Sequence, residues 1–239
     1  MRLLRVLVVA TSFAALLAHP SAAQEGRPFH DAWFWGVKGG VSVYSTNYGS
    51  GTAPSPAPAG ADYGTDNAGA PMAGLDWMIT RTRGGLYLGV DQAFFQEEGS
   101  FKETSAAGLV DRVVSLKNMQ RVQLAMVGFP MQRPTLHPYI GIGAGMYRVG
   151  SVSFLTPLAG AAQASVANDS VTSKKVTFAP FVLAGVQQRL PMFSVFAQGT
   201  LTWLQRSFFL HYDPPKRGFA LTLEGGLRYN IGSSIDRIR

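Results

Sequence analysis

The stretch "FALTLEGGLRYNI", Phe219 to Ile231, decides the fold class because it alternates two kinds of side chain. One set is apolar, and the other is polar or charged. A period of two is typical of a β-strand whose two faces meet different surroundings. The apolar set is Phe219, Leu221, Leu223, Leu227, Tyr229 and Ile231, and the polar set is Thr222, Glu224, Arg228 and Asn230.

The same alternation recurs along the 239-residue chain and predicts eight strands in one all-β domain. A domain of this class reaches such a length without dividing into two. The predicted strands are Trp33 to Ser45, Pro71 to Thr80, Gly85 to Gln96, Leu116 to Phe129, Pro138 to Gly150, Lys175 to Arg189, Phe193 to Gln205 and Gly218 to Ile231.

The gaps between these strands alternate between long and short. An up-and-down sheet whose ends face different environments gives this pattern, as in outer-membrane barrels with short periplasmic turns. The Pro-rich segment Ala53 to Ala59 could instead be an interdomain linker, but the single strand before it could not form a domain. The long gaps are Thr46 to Ala70, Glu97 to Ser115, Ser151 to Lys174 and Arg206 to Arg217, and the short ones are Arg81 to Gly84, Pro130 to His137 and Leu190 to Met192.

Residues 1–23 predict a cleaved secretory signal peptide. Arg2 and Arg5 form a positive start, Val6 to Ala18 is apolar, and Ser21 to Ala23 supplies the small residues of a cleavage site. The apolar run is shorter than the roughly 20 residues of a membrane-spanning helix, which disfavours the alternative of an N-terminal anchor. Cleavage would remove two arginines and no acids, so the net charge would fall from +7 to +5.

The chain contains no cysteine, so an exported form would have neither disulfides nor a lipid-modified N-terminal cysteine. No apolar run after the signal peptide is long enough for a membrane helix, and strands would have to span any membrane. No cluster of lysines and arginines indicates nucleic-acid binding. We expect the basic residues to face anionic lipid head groups instead.

The polar face separates two architectures that share the period of two. A soluble sandwich or lipocalin-like barrel would bathe that face in water and favour long polar side chains. Here the face is crowded with glycine, as in "YIGIGAG", Tyr139 to Gly145, which fits the cramped interior of an eight-stranded barrel. The predicted fold is therefore a closed, antiparallel, up-and-down transmembrane β-barrel of eight strands, residues 24–231.

Aromatic residues cluster where the predicted strands meet the periplasmic edge, which indicates an interfacial girdle. The alternative is that they form the core of a sandwich. The aromatic set is Phe29, Trp33, Phe34, Trp35, Trp77, Phe193, Phe196 and Tyr229.

Six charged residues fall on the polar faces at similar heights from the periplasmic end. Closure of the barrel should bring Lys38 near Glu224 and Arg228. A charge on the lipid face would cost about 2–4 kcal/mol for Arg or Lys, so we expect a paired network in the lumen. The predicted lumen network is Lys38, Asp76, Asp91, Arg121, Glu224 and Arg228.

The signal peptide, "HPYIGIGAGM" (His137 to Met146) and the terminal "EGGLRYNIG" resemble bacterial eight-stranded outer-membrane β-barrels of the opacity/OmpA-like superfamily. The resemblance implies residence in the cell outer membrane among its lipid and lipopolysaccharide. It also implies recognition by the outer-membrane assembly machinery through a C-terminal signal. Glu224, Gly226, Tyr229 and Ile231 match that signal, although the chain continues beyond it with residues 232–239, predicted as a short periplasmic tail.

The leading functional hypothesis is a structural or surface-interaction role with a lumen closed by charges. The alternatives are a narrow channel or carrier for small solutes or hydrophobic molecules, and a lipid A-modifying enzyme. Ser207 and His211 are the only pair that suggests the enzyme, and no acid or oxyanion arrangement accompanies them. No catalytic residue, metal site or cofactor is therefore predicted.

Overall fold

The computed structural model describes residues 32–45, 67–81, 83–105, 108–131, 136–155, 175–190, 193–204 and 218–233, together with 164–165, 168–169 and 172. The predicted signal peptide, the Ser207 and His211 pair and residues 234–239 lie outside them. Within the described ranges, no helix is long and apolar enough to cross a membrane.

Eight strands pair in chain order, each antiparallel to the next, and β8 pairs with β1 to close the barrel. The all-β, up-and-down fold predicted from the alternating pattern is thereby confirmed. The strands are β1 Ala32–Ser45, β2 Asn67–Arg81, β3 Gly84–Ser105, β4 Gly108–Gly128, β5 Leu136–Phe154, β6 Val176–Arg189, β7 Phe193–Leu204 and β8 Gly218–Ser233.

The barrel has two unlike ends. At one end, which we call the turn end, short connections join β2 to β3, β4 to β5 and β6 to β7. The Phe129 N–H donates to the Arg83 carbonyl at 2.9 Å, and the Leu190 N–H donates to the Phe193 carbonyl at 2.7 Å. The opposite end is the loop end, where residues 46–66, 155–175 and 205–217 connect the strands.

The third predicted gap, Glu97 to Ser115, is not a loop, and this expectation was wrong. β3 and β4 stay paired as far as Ser105 opposite Gly108, and only residues 106–107 separate them. β2 leaves this ribbon at Met72 opposite Ala93, whereas β5 follows it to Val114 opposite Phe154. The two strands satisfy each other's backbone groups, so the residues of this predicted gap form a hairpin that extends beyond the end of β2.

Successive side chains point alternately outward and inward, as the sequence pattern predicted. In β8, Leu223 is 55 % exposed, whereas its neighbours Thr222 and Glu224 are 1 % and 5 % exposed. The outward set of β8 is the apolar one. The apolar face of this strand therefore lies on the outside of the barrel, and its charged face points into the interior.

The interior is filled in three layers along the barrel. In β2, inward Met78 belongs to an apolar cluster at the turn end, Asp76 follows, and Met72 belongs to a second apolar cluster at the loop end. In β4, Ala125 and Met119 belong to the same two clusters on either side of Arg121. The charged residues thus form a polar layer between two apolar clusters.

Candidate functional site

Four of the six predicted lumen residues form one cluster in the polar layer. Lys38 Nζ lies 2.9 Å from Asp91 Oδ2 and 3.2 Å from Glu224 Oε2. Arg121 Nε lies 2.5 Å from Asp91 Oδ1, and its Nη2 lies 3.9 Å from Glu224 Oε2. Two cations therefore share two carboxylates, and we call this group the shared cluster.

The other two residues form a separate ion pair. Arg228 donates to both carboxylate oxygens of Asp76, with its Nη2 2.7 Å from Oδ2. The guanidinium carbon lies 3.6 Å from the Phe196 ring centroid and 5.7 Å from that of Tyr139. Its Nη1 donates to Gln187 at 3.0 Å. Among the described residues, this fully buried arginine has one counter-ion, and we call Asp76 and Arg228 the isolated pair.

Gln198 on β7 joins the two groups. Its Nε2 donates to Glu224 of the shared cluster and, at 3.1 Å, to the Tyr87 hydroxyl, which also accepts from Lys38. Its Oε1 accepts from Arg228 Nη2 at 3.3 Å. Sequence reasoning did not include Gln198 in the network. It shares the inward alternation with buried Phe196 and Thr200, so the period of two could have found it.

Inward glycines make room for the large side chains of this layer. A Cβ on Gly36 would overlap Asp76 Oδ1 and lie 2.9 Å from Arg228 Cγ. A Cβ on Gly89 would lie 2.6 Å from the Tyr87 hydroxyl and 3.0 Å from Lys38 Nζ. The glycines of the polar face are therefore complements to the charged and aromatic side chains opposite them.

The charged side chains of the polar layer neutralise one another as ion pairs. Three cations face three carboxylates, and every carboxylate contacts at least one cation. Among the described residues, no group of three His, Cys, Asp or Glu side chains could hold a metal ion. The arrangement can hold charges in place and can restrict an aqueous path.

The turn end carries an outward band of aromatic side chains, but two residues assigned to it were misplaced. Trp33 and Trp35 are exposed, and their ring centroids lie 5.3 Å and 6.4 Å from that of Trp77. In contrast, Phe34 is 0 % and Phe196 is 1 % exposed. Both lie inside because they alternate with outward neighbours along their strands.

A second outward aromatic band lies at the loop end and was missed by the sequence reasoning. Phe193 pairs with Tyr229 at the turn end, and Trp203 pairs with Phe219 ten residues further along the same two strands. All four are exposed. Ten residues at about 3.3 Å each, tilted by about 40°, separate the bands by about 25 Å.

The surface between the bands is apolar. Its most exposed side chains include Met126 at 67 %, Phe178 at 65 % and Ile142 at 62 %. A belt about 25 Å tall between two aromatic girdles is the signature of a transmembrane β-barrel. Such an area of apolar surface is too large for the exterior of a soluble monomer.

The four residues of the predicted assembly signal divide between the two faces of β8. Glu224 points inward into the shared cluster, whereas Tyr229 and Ile231 are exposed on the apolar belt. A Cβ on Gly226 would overlap the Val37 carbonyl across the junction of β8 with β1. Their role in assembly stays a prediction.

No protein-family model matches the chain, and no curated protein matches it. Among solved structures it is similar to Ail, the attachment invasion locus protein of Yersinia pestis, with 13 % identity, coverage of 87 % of this chain and 100 % of that chain, and a TM-score of 0.38. It is also similar to the outer membrane protein OprG from Pseudomonas aeruginosa, with 11 % identity, coverage of 85 % and 98 %, and a TM-score of 0.40. At these values the likenesses say nothing about the role of this chain.

The class of protein rests on the barrel itself. Eight antiparallel strands close without a free edge in the wall, the outside is an apolar belt between aromatic girdles, and the inside is polar at mid-height. These are the features of an eight-stranded β-barrel of the outer-membrane type.

Proposed function

We propose that the protein is an integral outer-membrane barrel with a structural or surface-interaction role, and that its charge network closes the lumen. The layered interior is the observation that carries this proposal. A polar layer of paired charges lies between two apolar clusters, so an aqueous path would have to pass all three layers.

The exterior supports the membrane part of the proposal. The belt is apolar on both the strands near closure and those opposite them, with Leu223 at 55 % and Leu124 at 58 % exposure. Each strand pairs with a neighbour on both sides around the closed barrel, which satisfies backbone groups inside the wall as a bilayer requires.

Burial of the network supports the closed lumen. Lys38, Asp91 and Arg121 are each 5 % exposed or less, and Arg228 is 0 % exposed. Eight strands enclose a space that side chains alone can fill. The charges are thus placed to hold the barrel together and to block diffusion of solutes.

Membrane residence is tested by fractionation and gel mobility. We expect the mature protein in the outer-membrane fraction, with a shift in gel mobility when the sample is boiled, because folded barrels resist detergent. A soluble periplasmic protein without a mobility shift would contradict the proposal.

The closed lumen is tested by conductance in planar bilayers. We expect no reproducible single-channel steps from the wild-type protein. Glu224→Ala removes one carboxylate from the shared cluster, and Leu223→Ala changes the neighbouring outward position as a control. Wild-type steps that change with Glu224→Ala, but not with Leu223→Ala, would favour the alternative of a narrow channel and defeat a purely structural role.

A further inference from the structure

The turn end of the lumen holds an arginine that belongs to neither the shared cluster nor the isolated pair. Arg189 is the last residue of β6, and its guanidinium carbon lies 5.1 Å from the centre of the Phe34 ring on β1. These two strands lie three strands apart around the closed barrel. Because Phe34 is fully buried, the Arg189 side chain must extend inward and cross the opening at this end.

The described inward side chains of this half of the lumen carry more positive than negative charge. From the isolated pair to the turn end they include two arginines, Arg228 and Arg189, and one carboxylate, that of Asp76. Asp76 is the residue that binds Arg228. An anion that enters from the turn end would therefore meet a positive potential.

A buried amide lies beside Arg189 on the same face of β6. Gln187 is 0 % exposed, and its Oε1 accepts from Arg228 Nη1 at 3.0 Å. Its Nε2 therefore faces away from that guanidinium. This Nε2 has no hydrogen-bond partner among the described residues. Buried N–H groups in proteins are nearly always paired, so an acceptor is expected at this place.

Two further polar side chains lie next to these residues. Ser194 on β7 pairs with Arg189, and His137 on β5 pairs with Gln187. Both are buried. The four residues thus occupy adjacent inward positions on three neighbouring strands, and each type of side chain can donate a hydrogen bond. We call these four residues the Arg189 group.

We propose that the Arg189 group binds a small oxyanion, either phosphate or a carboxylate, that enters from the turn end. The planar fork of N–H groups on arginine matches both kinds of anion, and Gln187 Nε2 would gain its acceptor. Fully buried Arg228 lies directly behind the group, so the anion stays at the turn end. The inference goes beyond the proposed function, because it needs the closed barrel but no surface partner.

The test is a titration of the full mature protein in zwitterionic micelles, followed by ¹⁵N NMR. The side-chain signals of Gln187 Nε2 and Arg189 Nε report on the site directly. Sodium phosphate and sodium acetate are the two probes, and the tighter of them identifies the kind of oxyanion. Sodium chloride at equal ionic strength is the comparison, because it changes screening without offering an oxyanion.

We expect saturable shifts of both signals with phosphate or acetate, with a Kd on the order of 1 mM, and none with chloride. Arg189→Gln should weaken binding at least about tenfold, as followed by the Gln187 signal. Arg83→Gln removes an exposed arginine at the same end and should change binding by less than about twofold. Arg189→Lys keeps the charge without the fork and should lie between these two variants.

Every variant is first checked for the mobility shift on boiling, so that a loss of folding is not mistaken for a loss of binding. If Arg189→Gln does not fold, Arg189→Lys supplies the comparison. Wild-type signals that do not saturate, or equal losses in the Arg189 and Arg83 variants, would overturn the site. Neither result bears on the membrane barrel, which only a wild-type protein without the mobility shift would contradict.

Discussion

The shared cluster and the isolated pair both neutralise buried cations, but they differ in the number of carboxylates that contact each cation. In the shared cluster, Lys38 and Arg121 each contact both Asp91 and Glu224, so each cation has two counter-ions. In the isolated pair, Asp76 is the one counter-ion of Arg228 within the part of the chain that the structure describes. The difference predicts that loss of one carboxylate is tolerated in the shared cluster, where each cation keeps a second counter-ion. The same loss is not tolerated in the isolated pair, where Arg228 would keep none.

Removal of the carboxylate from the isolated pair should lower the free energy of unfolding most. Asp76→Asn keeps the shape of the side chain but leaves Arg228 as a fully buried charge without a counter-ion. We expect a loss of about 3–5 kcal/mol in the free energy of unfolding. The measurement is urea unfolding in lipid vesicles, followed by tryptophan fluorescence.

A second variant separates lost charge balance from lost packing. Asp76→Asn combined with Arg228→Met removes both charges, and part of the stability should return. If Asp76→Asn alone costs under about 1 kcal/mol, the pair is not the irreplaceable contact that the geometry indicates.

The shared cluster should tolerate the equivalent change better. In Asp91→Asn, Lys38 and Arg121 keep Glu224 as a counter-ion. We expect a loss of about 2 kcal/mol under the same conditions, because some hydrogen bonds to a charged partner are lost. A loss as large as that of Asp76→Asn would remove the distinction between redundant and irreplaceable charge.

Filling the space beside the isolated pair should lower the free energy of unfolding by a smaller amount. Gly36→Ala would push a methyl group into Asp76 and Arg228, and we expect a loss of about 1–3 kcal/mol from overpacking. Gly39→Ala is the matched control on the same strand, since its nearest contact would be the Met72 carbonyl at 3.5 Å. Equal unfolding midpoints for the two variants would show that the fit around Arg228 is loose.

A substitution in the aromatic band on the outer surface should lower the free energy of unfolding least. The Phe193 and Tyr229 rings lie 5.6 Å apart at the turn end. Phe193→Leu should cost about 1 kcal/mol, and a double-mutant cycle with Tyr229→Leu should assign most of it to the ring pair. An additive cycle would indicate that each ring acts only through the lipid interface.

The strand count and the two faces were predictable because a period of two needs only local sequence. Leu223 outside and Glu224 inside follow directly from alternation. The same rule, applied strictly, would have placed Phe34 and Phe196 inside and added Gln198 to the network. These errors came from grouping aromatic residues by position along the chain and not by face.

Other features could not be read from the sequence. Which carboxylate meets which cation depends on how β8 is offset against β1 when the barrel closes. The ladder of β3 and β4 also shifts between Ala93 and Gln96, opposite Asn118, whose φ is 57°. Beyond that bulge the inward alternation changes, so that Leu116 and Met119 are both buried. Local periodicity carries no information on such offsets.

The junction of β1 with β8 determines when the charges of the polar layer become paired during assembly. Glu224 and Arg228 belong to the last strand, and their partners Lys38 and Asp76 belong to the first two. A chain whose last strand has not yet docked holds Asp76 without its arginine and two cations that share only Asp91. The polar-layer charges on β1 to β4 already sum to zero, but their ion pairing is completed only when β8 docks, so an assembly intermediate without β8 lacks the arginine of Asp76 and the second carboxylate of the two cations.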